Sequence, residues 1–176
     1  MNFRFCVRRE HQGEVRQGVV FVKEVVPRAA IAWVARNVYH ENYVALPMRR
    51  RIGLPDMADM ADMADMADVA YEWRHTERWN RLATTCSGEA FLPGDSSEET
   101  FIAEHYWGYA MQPDGATLEY RVEHPRWNVW RCSTSSLDGD VDGLYGPELG
   151  SFVKSEPSSA FVAEGSAIVV RRGVRI

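Results

Sequence analysis

Two Glu-His pairs, Glu104-His105 and Glu123-His124, are the residues of this chain best suited by type to proton transfer or metal binding. Their spacing limits what they can do together. Neighbouring residues diverge by about 100° on a helix and point to opposite faces of a strand, so one member of each pair at most enters a given pocket. His105 and His124 both sit among aromatic residues, where burial tunes an imidazole for acid-base work. The plainer reading of each is a core histidine satisfied by a neighbouring carbonyl. No H-E-x-x-H or H-x-H spacing occurs, and neither a metal nor another cofactor is expected.

Other motifs carry less. Asp138-Gly139-Asp140-Val141-Asp142-Gly143 imitates the start of an EF-hand loop, but the twelfth position is Leu149 instead of a bidentate glutamate. A turn whose aspartates cap the next short helix is the preferred reading. Residues 56–68 repeat Asp-Met-Ala four times and close on a fifth aspartate. A period of three fits neither helix nor strand, so a low-complexity loop over 53–68 is expected, and its methionines have no reason to converge on a soft metal. No nucleophile elbow, P-loop or dinucleotide fingerprint occurs.

The elements that must position these side chains centre on residues 96–130. Ser96 and Glu99 fit a capping box, and Phe101, Ile102, His105, Tyr106 and Tyr109 recur at helical spacing, predicting a helix that ends near Gly108. Pro113-Asp114-Gly115 then turns the chain into a strand from Thr117 to His124, with Leu118, Tyr120 and Val122 on one face and Glu119, Arg121 and Glu123 on the other. Upstream, Phe3, Phe5 and Val7 alternate with polar neighbours, and a turn at His11 to Glu14 leads to a second strand over 18–25. Pro27 opens a helix with an apolar stripe of Ile31, Val34, Ala35 and Val38, followed by extended chain from Tyr43 to Ile52. Further strands are expected over 69–74, 81–91, 159–162 and 168–170. Strand-dominated content with mixed connectivity predicts an α+β fold on a curved, barrel-like, mainly antiparallel β-sheet with two or three helices.

Composition sets the outer bounds. A hydrophobic share of 45% in 176 residues supports a single domain with a real core. No apolar run approaches the roughly 20 residues of a membrane-spanning helix, so a cytoplasmic protein without a membrane partner is expected. Without the five aspartates of the repeat, acidic and basic residues balance at 20 each, which excludes a basic field for nucleic acid. Cys6, Cys86 and Cys132 are far apart and odd in number, and read as buried free thiols.

Residues 96–130, with VPRAAIAWVARNVYHENYVALPMRRRI (26–52) and FVAEGSAIVVRRGVRI (161–176), resemble the YqjF-like family of uncharacterised bacterial proteins, over nearly the whole chain. That family is grouped by fold with the acetoacetate-decarboxylase-like superfamily, and the resemblance implies the same architecture. It also implies a further segment before Asn2, so an unpaired strand edge open to self-association is expected. In that superfamily a catalytic lysine pair follows a tyrosine after a helix, and the matching place here is Tyr39-His40-Glu41-Asn42-Tyr43. No lysine stands there. Lys23 and Lys154 are the only lysines and neither matches, so Schiff-base decarboxylation is not expected. Glu41 could serve as a base and Asn42 as a hydrogen-bond donor. The expected function is binding of a small organic molecule, carboxylic acids included, in an aromatic-lined cavity. Arg121 would clamp a carboxylate, and Glu41, His105, His124 and Tyr106 would orient or protonate it. A lysine-independent lyase or hydrolase using Glu41 and a histidine is the enzymatic alternative. A non-catalytic, truncated family member is the third reading.

Overall fold

The structure, a computed structural model, describes residues 1–53 and 66–176. The calls on the Asp-Met-Ala repeat fall mostly outside these residues. Along the chain run β1 (Asn2–His11), β2 (Glu14–Val26), α1 (Ala29–Val34) with a π-helical continuation (Ala35–Tyr39), β3 (Tyr43–Ala45) and β4 (Met48–Gly53). Then come β5 (Met66–His75), β6 (Arg78–Phe91), α2 (Glu98–Ala103), β7 (Trp107–Met111), β8 (Thr117–Glu123) and β9 (Val129–Asp138). The chain finishes with α3 (Val141–Tyr145), α4 (Pro147–Lys154), β10 (Phe161–Ala163), β11 (Val169–Val170) and β12 (Val174–Arg175). Strands dominate, as expected, with four short helices among the described residues instead of two or three. Neither sheet closes on itself there, so a barrel is not part of the described architecture.

Contacts divide the chain into two compact units. The first comprises Met1–Ala45, Gly94–Trp127 and Gly165–Ile176. Its sheet runs β1-β2-β7-β8-β11, with β3 also on β2 and β12 also on β8. β1 and β2 form a hairpin whose turn residues, Gln12 and Gly13, take φ of 51° and 81°, the double left-handed turn that matches strand twist. The helix expected to run to Gly108 stops at Ala103. Ser97, one residue later than the expected cap, accepts from the Thr100 N–H at 3.1 Å, and Glu104 leaves helical geometry. Trp107–Met111 instead pairs parallel to β2 and antiparallel to β8, a case of tertiary pairing overriding helical spacing. Ser97→Ala should cost about 1 kcal/mol through the lost cap, measurable by urea denaturation.

Glu119 shares its face of β8 with Arg121 but is tied to other partners. It is 6% exposed and receives Arg9 at 2.7 Å and Arg16 at 2.5 Å. A carboxylate buried this far requires such partners. The Arg16 guanidinium also lies 4.2 Å from the Trp107 ring centroid and 3.3 Å from Glu14, so the two arginines are matched by two carboxylates.

The second unit comprises Leu46–Pro93 and Asn128–Glu164. Its sheet, β10-β9-β6-β5-β4, is antiparallel throughout. Trp73, Val129, Val141 and Cys86 are its most deeply buried apolar side chains. Asn80, fully buried, donates to the Trp73 carbonyl at 3.2 Å and accepts from the Asp140 N–H at 2.7 Å, which fixes the start of α3. The aspartates of the EF-hand-like run diverge. Asp140 caps α3 through the Gly143 N–H, Asp138 pairs with Arg78, and Asp142 pairs with Lys154.

The cysteines correct one expectation. All three are free thiols, but only Cys86 is buried; Cys6 is exposed and Cys132 half-buried, and Cys86 and Cys132, 46 residues apart in sequence, are directly opposed across β6 and β9. Strand pairing, which sequence separation does not report, brings them together.

Candidate functional site

The sequence Tyr39-His40-Glu41-Asn42-Tyr43 carries the chain from helix to strand in the first unit. The π-helical turn ends where His40 takes the left-handed conformation, φ 56°, and the Glu41 N–H caps it by donating to the Ala35 carbonyl at 3.1 Å. Beyond His40 the chain runs into β3, so Glu41 and Tyr43, two residues apart, fall on the same side. β8 supplies the facing residue, Tyr120. Its cross-strand neighbour is Gly108, whose missing side chain leaves room for the phenol ring to lie against the sheet. Tyr39 meets the Tyr120 ring edge-on at 5.4 Å.

These residues line a cavity of about 400 Å³ with Ile31, Val34 and Ala35 of the helix and Val170 of β11. The helical stripe read from the sequence is therefore half-exposed, since it walls a recess and does not fill a core. Of that stripe only Ala35 is buried, together with Ala32 outside it, while Ile31, Val34 and Val38 are exposed. Apart from its tyrosine hydroxyls, the cavity is apolar and has one charged group, Glu41. That carboxyl is 6% exposed and accepts a hydrogen bond from the Tyr120 hydroxyl at 2.7 Å on Oε1.

Burial pushes the Glu41 carboxyl up to about 7, and the neighbouring Glu24 charge adds to the effect while the Tyr120 hydrogen bond opposes it. Burial and the carboxylates together raise the Tyr120 and Tyr43 phenols far above their ordinary value, so both remain hydrogen-bond donors at neutral pH. Tyr43 hydrogen-bonds Glu24, which is 9% exposed. Glu41 thus changes protonation near neutrality in a water-poor recess, where it can offer a ligand either a donor or an acceptor. No lysine, arginine or histidine is among the nine lining residues, and Lys23 and Lys154 lie elsewhere.

Of the residues proposed from sequence, Glu41 alone lines this cavity. Asn42 faces away, donating to the Val22 carbonyl at 2.8 Å, while its own carbonyl accepts from the Glu24 N–H. Arg121 is exposed and lies 3.6 Å from Glu123. His105, His124 and Tyr106 gather in a second group. His105 is buried, with Nδ1 2.9 Å from the Ile102 carbonyl and Nε2 without a hydrogen-bond partner among the described residues. Burial, and then the nearby Arg4, hold its pKa below the ordinary value. His124 stacks between Tyr106 at 5.1 Å and Trp127 at 4.1 Å, and the Tyr106 hydroxyl donates to Glu104. His105 instead meets the Phe101 ring edge-on at 5.9 Å, and neither histidine lines the cavity.

Sequence reasoning did not assign Tyr39, Tyr43, Tyr120 or Glu24 to the site. A signal for the first two was present, because Tyr39, Glu41 and Tyr43 alternate through the motif. Tyr120 lies 79 residues from Glu41 and has no such signal.

A family model, DUF2071, an uncharacterized conserved protein, matches residues 1–167. No curated protein and no solved structure matches the chain. No helix among the described residues is long and apolar enough to cross a membrane. With the match spanning nearly its whole length, the chain belongs to the DUF2071 family.

Proposed function

We propose that the protein binds a small, mainly apolar organic molecule in the cavity of the first unit and holds the molecule's one polar group at Glu41 and Tyr120. The observation that supports this is a single carboxyl, 6% exposed and bonded to one phenol, in an otherwise apolar recess. Convergence of few polar groups in an apolar cavity is the usual form of a ligand site, and about 400 Å³ is an ordinary size for one. Ketones and alcohols satisfy the pair directly. A carboxylic acid is accommodated only when one proton is shared between it and Glu41, since no cation lines the cavity.

Calorimetric titration with octanone, octanol and octanoic acid tests the reading. At least one should bind, and Val34→Phe, which fills the recess, should abolish binding without unfolding the protein. Affinity for octanoic acid should fall about tenfold per pH unit above about 7, because the complex must then take up a proton. Binding that survives Val34→Phe, or no binding by any of the three, would refute the site.

A reaction at the same place is the second reading, favoured by the near-neutral pKa of Glu41. Tyr120 and not a histidine would then be its partner in a lysine-independent lyase or hydrolase. Turnover lost in both Glu41→Gln and Tyr120→Phe would identify it.

A further inference from the structure

Cys86 and Cys132 face each other across β6 and β9, with their sulfurs 3.0 Å apart. They are separated by 46 residues in sequence, and the register between the strands shifts beside them, which seats the two side chains against each other. Cys86 is 1% exposed, whereas Cys132 is half-buried and lines a polar recess of about 410 Å³ with Ser133, Ser135, Glu156 and Ser159. The pair therefore has one sulfur within reach of a small molecule and one directly behind it. This is the arrangement of an attacking and a resolving thiol.

We propose that Cys86 and Cys132 form a thiol-disulfide exchange site that takes a small-molecule disulfide through the recess beside Cys132. The Cys132 thiolate attacks one sulfur of that disulfide, breaking its S–S bond, forming a mixed disulfide and releasing one thiol. Cys86 then attacks the Cys132 sulfur, its proton passing to the departing small-molecule sulfur. The second thiol leaves and the Cys86–Cys132 bond forms. Two cysteine thiols are oxidised and one small disulfide is reduced to two thiols, so the electrons balance.

The order of attack follows from the surroundings. Burial, with the neighbouring Cys132 sulfur and Asp68, pushes the Cys86 thiol up to about 12, so it stays protonated until the mixed disulfide lies against it. Reaching from outside to Cys86 first would require opening the sheet. Strand pairing holds the two sulfurs together before any oxidant arrives, so the second step needs no large movement of the backbone.

Oxidised glutathione added to the whole reduced protein is the test, read by thiol titration after denaturation, intact mass and peptide mapping. The thiol count should fall from three to one, leaving Cys6 free, with the Cys86 and Cys132 peptides linked and reductant restoring all three. Cys86→Ser should accumulate a persistent glutathione adduct on Cys132 that the unaltered protein does not keep. A count that stays at three, a lasting adduct on Cys132 in the unaltered protein, or a linkage through Cys6 would overturn the proposal. The wild-type readings stand whether or not the serine variant folds.

Discussion

Replacing Glu41 with glutamine is expected to stabilise the protein by about 3 kcal/mol at about pH 9 while changing little at about pH 4.5. The Glu41 carboxyl rises from an ordinary value of 4.5 to about 7 on folding, chiefly through burial. A group whose pKa is higher in the folded chain takes up protons as the chain folds. Its contribution is therefore complete below about 4.5, declines as pH rises, and is gone once pH has passed about 7. Glutamine is neutral throughout and retains an oxygen to accept from Tyr120, so the variant escapes the penalty of burying a charge. Of the groups around Glu41, Glu24 adds repulsion, and the Tyr43 and Tyr120 phenols stay protonated over this range. The Met1 amino group, close enough to Glu24 to feel its charge, has its own pKa lowered by burial and is common to both proteins. Urea denaturation of both proteins across this pH range would measure the effect. Identical slopes would mean that Glu41 is not held in a dry recess.

Gly108→Ala should cost about 3 kcal/mol and lower the melting midpoint by roughly 10 °C. A Cβ at this position would fall 2.5 Å from the Tyr120 hydroxyl oxygen and closer still to the ring. The β8 backbone is paired to Gly108 and cannot withdraw, so the ring must leave. Its departure breaks the bond to Glu41 and the edge contact with Tyr39. The cavity is then lost together with the packing. In a Tyr120→Ala background the same glycine substitution should cost well under half as much, because the clashing ring is already absent. An equal cost in both backgrounds would place the strain in the backbone and not in the ring.

The two effects share a cause that the sequence states only in part. The motif from Tyr39 to Tyr43 was legible as a helix-to-strand junction, and Glu41 was legible as its one ionisable acid. The Pro113-Asp114-Gly115 turn was equally plain, and it forms, with Gly115 at φ 85° and the Asp114 carboxylate accepting from the Ala116 N–H. Local propensity suffices for such features because every group involved lies within a few residues. Trp107–Met111 was misread for the opposite reason. Its spacing suits a helix when taken alone, and only the neighbours β2 and β8 make it a strand.

By itself the sequence determined that strands would dominate, where the main turns fall, that no lysine stands at the junction, and that the charge outside the repeat is balanced. Each of these depends on residue identity or on near neighbours. Only the tertiary structure decided that Tyr120 and not a histidine meets Glu41, that Glu119 is held by Arg9 and Arg16, and that Cys86 opposes Cys132. Those choices depend on which strands pair and in what register, and a shift of one residue would turn every side chain to the other face. Pairing is set by burial summed over whole sheets, so no single motif in the chain encodes it.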